Sequence, residues 1–285
     1  ASEATGLLRL AKANSKKVQL VVHHQGRCGA AMRSVMAAVN AGKIGQLRFT
    51  QSSGKGYYGG YGLMNIGTHS INALLGISGR VRRVSSSGMV NGKIASVDDV
   101  LVAPNGMGLI VGEDITALFE FENGTHGVHL QHHYKQIEMD AYKIEFSGSD
   151  GRIIWRMNEA WWLPTQHYSP GREFAWERLP MSFPTGYDAN SGVDESDLSF
   201  VDEFVDALDH GRPHCCGIEE GIHVLEIIMA IFDSIANGTQ IELPQLDRTH
   251  PLDRWLNRVE RSHPKPTYRD YGSWLRSECQ RLEKQ

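Results

Sequence analysis

The chain is poor in cysteine, has no long apolar run and carries no large excess of one charge. Its four cysteines, Cys28, Cys215, Cys216 and Cys279, follow none of the spacings of a disulfide-stapled fold. Cys215 and Cys216 are adjacent, which makes a bond between them difficult. His214 stands beside them, but a metal centre calls for two well-separated ligand pairs. No metal is therefore expected, and the thiols read as reduced ones in a cytoplasmic protein. The most apolar stretch, residues 222–235, contains Glu226 and Asp233, so no membrane span is expected. The net charge of −4 comes from interspersed acids and bases, whereas a nucleic-acid-binding surface would need a basic patch. Repeats and low-complexity tracts are lacking. No signal peptide is expected, and the first residue is Ala1 rather than Met, as at a processed or trimmed end.

What is present suits a soluble globular protein: 41% hydrophobic and 22% charged residues over a 285-residue chain, enough for one large domain or two. Residues 3–14 read as the end of a helix, and the nearly all-apolar run 18–22 as a strand buried on both faces of a parallel sheet. A helix over 30–41 stops at Gly42. Strands are expected at 47–53, 80–90, 115–122 and 125–133, the last two joined by the hairpin pair Asn123-Gly124. Alternation places His129 and His133 on one strand face and His126 and His132 on the other, as partly exposed sheet histidines rather than a metal cluster. Another hairpin joins 142–146 to 152–156 across Gly148-Ser149-Asp150-Gly151. The stretch from 161 to 186, with Trp161, Trp162 and Trp176, reads as a long loop with edge strands. Two helices follow, 196–210 with Phe200, Phe204, Val205 and Leu208 inward, and 218–237 with Ile222, Leu225, Met229, Phe232 and Ala236 inward. A short strand at 241–244 and an amphipathic element near 271–282 complete the chain.

These elements are organised around Gly59-Gly60-Tyr61-Gly62-Leu63-Met64-Asn65-Ile66-Gly67-Thr68-His69. Glycines lead into a helix on which Asn65 and His69, four apart, share a face. Two readings stand: a ligand site approached by flexible chain, or a capped helix with a hydrogen-bonded core histidine. Gly54-Lys55-Gly56-Tyr57-Tyr58-Gly59 matches G-x-G-x-x-G literally, but its strand is half-polar, its helix starts late and no acid lies about twenty residues on, so it is not read as a dinucleotide loop. Tyr57, Tyr58 and Tyr61 read as lining the mouth of a pocket, or else as exposed loop aromatics.

The segment from His23 to Arg27, the helix ending Ala41-Gly42-Lys43-Ile44-Gly45, the glycine pair leading to His69, Glu113-Asp114 before Ile115, and the run from Gly217-Ile218-Glu219-Glu220-Gly221 to Asn237-Gly238 occur in an order that resembles the Gfo/Idh/MocA family of NAD(P)-dependent oxidoreductases, over roughly residues 5–245. The resemblance implies hydride transfer at a sugar or polyol carbinol, with NAD or NADP, on a Rossmann half followed by a half built on a mostly antiparallel sheet. It implies His69 as acid/base with Asn65 as its partner or a substrate ligand, Gln25 and Arg27 on the nicotinamide side, and Asn72 toward the substrate, where the pocket-mouth reading also puts Tyr57, Tyr58 and Tyr61. The family's phosphate loop and Glu-Lys-Pro motif are expected ahead of residue 5, and Asn65 and Asn72 stand where aspartates are common.

The expectation is thus an α+β fold, a mostly antiparallel open sheet with helices on one face. The terminal strand and helix of an otherwise missing Rossmann domain precede it (1–27, then 28–285). Such a chain would act on a sugar-like small molecule as a homodimer or homotetramer joined through the sheet face. An NAD-dependent glycosidase of the same fold and a non-catalytic binding or scaffold subunit are the alternatives.

Overall fold

The computed structural model describes residues 2–15, 18–167, 175–266 and 270–284. Helix α1 (Ser2–Ala13) leads into an extended segment, a single turn of 3-10 helix (Gln25–Arg27) and α2 (Ala30–Asn40). Strand β1 (Leu47–Ser53) runs to α3 (Gly59–Gly62), a π-helical turn (Leu63–Gly67) and α4 (Thr68–Ser78). Then come β2 (Val81–Val90), β3 (Lys93–Ile94), β4 (Leu101–Val102), β5 (Leu109–Ile110), β6 (Asp114–Phe121), β7 (His126–Gln131), β8 (Lys143–Gly148), β9 (Arg152–Arg156), β10 (Glu159–Leu163) and β11 (Glu177–Arg178). The chain ends through α5 (Glu195–Asp209), α6 (Ile218–Asn237), β12 (Ile241–Glu242), α7 (Pro251–Arg258) and α8 (Tyr271–Glu283).

Ten strands form one sheet in the order β11-β10-β9-β8-β1-β7-β6-β2-β12, with β3 on β2; β4 and β5 pair separately. Among the described residues of this sheet only β1 and β7 run parallel; the other neighbours are antiparallel. This is the α+β architecture expected, and its turns show why. At the β6–β7 hairpin Gly124 takes φ +84°, and the Asn123 side chain accepts from the Thr125 amide at 3.0 Å. Alternation along β6 puts Ile115, Ala117, Phe119 and Phe121 in the core, where α2, α4 and α6 cover the inner face. Among the described residues no helix covers the opposite face. Register places Phe49, Gln51, Val128, Leu118 and Met89 together on it.

Four expectations need correction. Residues 18–22 do not enter a sheet: Val21 forms one isolated bridge with Gly217, while Val18 and Leu20 remain 48% and 37% exposed. An apolar run becomes a strand only beside another strand, and among the described residues none lies next to it. On α5, Phe200 and Ala207 face inward, but Val205 and Leu208 are half exposed. The inward stripe of α6 runs through Val224, Ile227, Ile228 and Ile231, while Ile222, Leu225 and Ala236 sit at its edges. Finally, His129 is fully buried and His133 nearly so. His129 Nδ1 meets the Ser52 hydroxyl at 2.8 Å, and His133 Nδ1 meets Glu113 at 3.1 Å. Those polar partners, invisible to strand alternation, make burial tolerable. Residues 168–174 of the expected tryptophan-rich loop lie outside the described residues; β10 and β11 are its edge strands.

Candidate active site

The glycine pair is a close crossing rather than a flexible approach. The Gly59 amide donates to the Glu113 carbonyl at 2.7 Å and the Gly60 amide to that of Gly112 at 2.8 Å. A Cβ on Gly59 would fall 2.6 Å from the Glu113 carbonyl oxygen. The amides of Gly54 and Gly59, the first and last glycines of the G-x-G-x-x-G match, are thus already bonded, to the Leu130 and Glu113 carbonyls. After the crossing the helix widens into the π turn, where Thr68 donates its hydroxyl to the Asn65 carbonyl at 2.7 Å. A π turn holds more residues than an α turn, so His69, beyond it, is offset from the place it would take on a regular helix. Asn65 turns back instead, donating to the Tyr61 hydroxyl four positions before it at 2.9 Å, and makes no hydrogen bond with His69.

His69 instead meets His24, which arrives on the segment before the 3-10 turn; the rings touch edge-on with centroids 5.1 Å apart. His24 is almost fully buried, and burial, then His69, Arg27 and His23, push its imidazole down to about 3. His69 is partly buried; burial, helped by His23 and Lys55 and opposed by Asp197, pushes it down to about 4. At neutral pH both rings are uncharged. His23 and Asp197 pair nearby at 3.1 Å, and burial also lowers Lys55, which lies over the Tyr142 ring at 5.0 Å.

The other expected site residues divide. Gln25 lies on the 3-10 turn, and its Oε1 is buried without a protein partner. Arg27 is committed: it crosses Gly76 of α4 and donates to Glu220 at 3.0 Å. The three tyrosines do not form an open mouth. Tyr58 and Tyr61 are buried, and Tyr57 packs edge-on against Tyr61 at 5.7 Å. Helix α8 covers them: Tyr271 stacks on Tyr61 at 5.1 Å, and Trp274 touches Tyr61 and Tyr58 at 5.4 and 5.7 Å. Asn72 is also fully buried, accepting the Cys216 thiol at 3.4 Å. Two participants were not singled out from sequence. His24 carried no signal beyond its place in the His23–Arg27 segment. Trp274 was part of an amphipathic tail with nothing to say what its apolar side covers.

Residues 53–243, two thirds of the chain, match the family model described as the oxidoreductase family, C-terminal alpha/beta domain. The chain belongs to the Gfo/Idh/MocA oxidoreductase family. No curated protein matches it. Among solved structures it is similar to an oxidoreductase from Agrobacterium radiobacter in complex with NAD+, L-tartaric acid and magnesium (17% identity, 85% of this chain and 69% of that one, TM-score 0.61). It is also similar to an aldose-aldose oxidoreductase from Caulobacter crescentus complexed with glycerol (13% identity, 85% and 68%, TM-score 0.60). A third is levoglucosan dehydrogenase in complex with NADH and levoglucosan (16% identity, 80% and 66%, TM-score 0.55). At these identities the likeness is one of fold. For a Gfo/Idh/MocA protein the described residues suit one end of a dinucleotide better than the other. The orphaned Gln25 acceptor matches a carboxamide N–H, whereas the amides of Gly59 and Gly60 are closed to a pyrophosphate. Among the described residues no helix is long and apolar enough to cross a membrane.

Proposed function

We propose that these residues form the substrate side of an oxidoreductase that moves hydride between NAD or NADP and the carbinol carbon of a sugar, polyol or related small molecule. Residues 1–27 would close the dinucleotide-binding half and residues 28–285 would form the substrate and assembly half. The observation that carries the reading is the edge-on meeting of His69 with buried His24, which leaves a partly exposed, uncharged imidazole at the crossing of two segments. The carbinol-bearing ligands of the similar structures, levoglucosan, glycerol and tartaric acid, support the substrate class.

A carbinol carbon gives up hydride only as its hydroxyl proton leaves. His69 is neutral above about pH 4 and can accept that proton. The imidazolium so formed is disfavoured by burial and by His23 and Lys55, and Asp197 is the charge that steadies it. Asn65 donates through Nδ2 to Tyr61 and keeps Oδ1 to accept from a substrate hydroxyl, a positioning role in place of the charge an aspartate would bring. Gln25 would accept from the nicotinamide carboxamide, and the cofactor, when bound, supplies the hydride acceptor. The open sheet face, where Phe49, Met89 and Leu118 are 38%, 36% and 55% exposed, would join two or four copies.

The test is incubation with a panel of sugars and polyols plus NAD+ or NADP+. It is made on a protein carrying a dinucleotide-binding half ahead of these residues. Accumulation of reduced nicotinamide that stops in His69→Ala is the expected result. Glycoside cleavage without accumulation would indicate a glycosidase, and silence in both assays a binding subunit; either would overturn the proposal.

A further inference from the structure

The fold brings Cys28 to the adjacent pair Cys215 and Cys216, almost 190 positions further along the chain. Cys28, just after the 3-10 turn, places its Sγ 3.5 Å from that of Cys215, and Cys215 Sγ lies 3.9 Å from Cys216 Sγ. All three sulfurs fall within 4.8 Å of one another. Cys28 and Cys216 are buried and Cys215 is partly open. Three thiolates around one Zn2+ stand about 3.8 Å apart, from a metal–sulfur length of about 2.3 Å and tetrahedral angles, so little movement is needed to close them on an ion. Cys216 also faces two oxygens, the His24 carbonyl at 3.6 Å and Asn72 Oδ1 at 3.4 Å.

We propose that Cys28, Cys215 and Cys216 form a binding site for one soft, thiophilic metal ion, Zn2+ or Cu+, an outcome that the sequence spacing alone argued against. Thiolates select these ions over hard cations. Three bound thiolates release up to three protons, so uptake strengthens as pH rises. The ion would tie the segment carrying His24 and Gln25 to the loop that starts α6, and so brace one wall of the candidate site. It takes no part in the proton transfer assigned to His69, and the site stands or falls independently of that assignment.

The metal-free, reduced full chain is titrated with Co2+ as a coloured stand-in for Zn2+, and separately with Cu+ against a chromophoric chelator. Binding of one ion of either kind per chain is expected, with thiolate-to-cobalt charge transfer in the Co2+ arm. Cys28→Ser and Cys215→Ser should each weaken binding on the order of 100-fold or more, while Cys279→Ser on α8 leaves it unchanged. A readout needing no variant is alkylation mapped by mass spectrometry: the bound ion should shield the partly open Cys215 while Cys279 stays labelled. Uptake of neither ion, binding unaltered in Cys28→Ser, or labelling of Cys215 unchanged by metal would overturn the proposal.

Discussion

A single depressed imidazole carries most of the chemistry assigned to this chain. With His69 pushed down to about 4, the acid limb of kcat/KM is expected near pH 4 in the free enzyme, well below an ordinary histidine limb. Asn65→Asp places a carboxylate one turn away, which favours the imidazolium and should move that limb toward higher pH by about one unit. A profile unmoved by the substitution would detach Asn65 from His69 in function as well as in hydrogen bonding. His129 shows the same physics without a site. Burial holds it at about 4, against 6.5 when unfolded. Its contribution to stability is complete above pH 6.5 and is lost as pH falls through about 4, amounting to about 3 kcal/mol. His24 and His69 add to the same acid limb. Urea unfolding of His129→Gln between pH 7 and 4.5 should show a shallower loss than the parent; an equal slope would contradict this. At this scale the sequence marked His69 and Asn65 as neighbours but not their separation, because nothing in the residue types announced the π turn between them. It likewise gave no reason to choose His24 over His23, since His24 is buried by packing against His69 on α4, a contact made only by the fold.

Among the elements, strands and hairpins were legible because alternation and Asn-Gly pairs act locally. Helix 218–237 was read to the residue from its period and its terminal Gly238, whose φ is +64°. Residues 18–22 and the outer row of α5 were misread for one reason: an apolar pattern states that a surface should be covered, not by what. Helix α8 is the reverse case, an amphipathic segment whose target became visible only in three dimensions. It is fastened by Arg281, which pairs with buried Glu113 and donates to Asn91 at 2.6 Å. Glu113 also accepts from the Asn91 amide at 2.9 Å and meets His133, so it stays ionised within the cluster. Arg281→Ala leaves that carboxylate short of its cation and should cost about 1–3 kcal/mol by chemical denaturation, with Glu113→Gln in the same chain recovering part of the loss. Equal stability of parent and Arg281→Ala would mean that α8 is held by Tyr271 and Trp274 alone.

For the molecule as a whole, the one-sided sheet, covered by α2, α4 and α6 on its inner face and open on the other, supports two expectations. The open face should self-associate, so light scattering at high micromolar concentration should report a dimer or tetramer. Leu118→Lys, at the middle of that face, should shift it toward monomer. A monomeric parent would remove the sheet face as an interface. With the Gly59 and Gly60 amides closed to a phosphate, the 285-residue chain by itself should bind NADH more weakly than micromolar in calorimetry. Tighter binding would show that some other surface holds the dinucleotide. The acid/base role of His69 is tested by turnover per folded molecule, set beside the melting temperature, for His69→Ala in a protein that also carries a dinucleotide-binding half. If His69 is the acid/base, kcat falls by roughly two to four orders of magnitude with the melting temperature nearly unchanged. An early-melting variant that turns over normally per folded molecule would make His69 a structural histidine and contradict it.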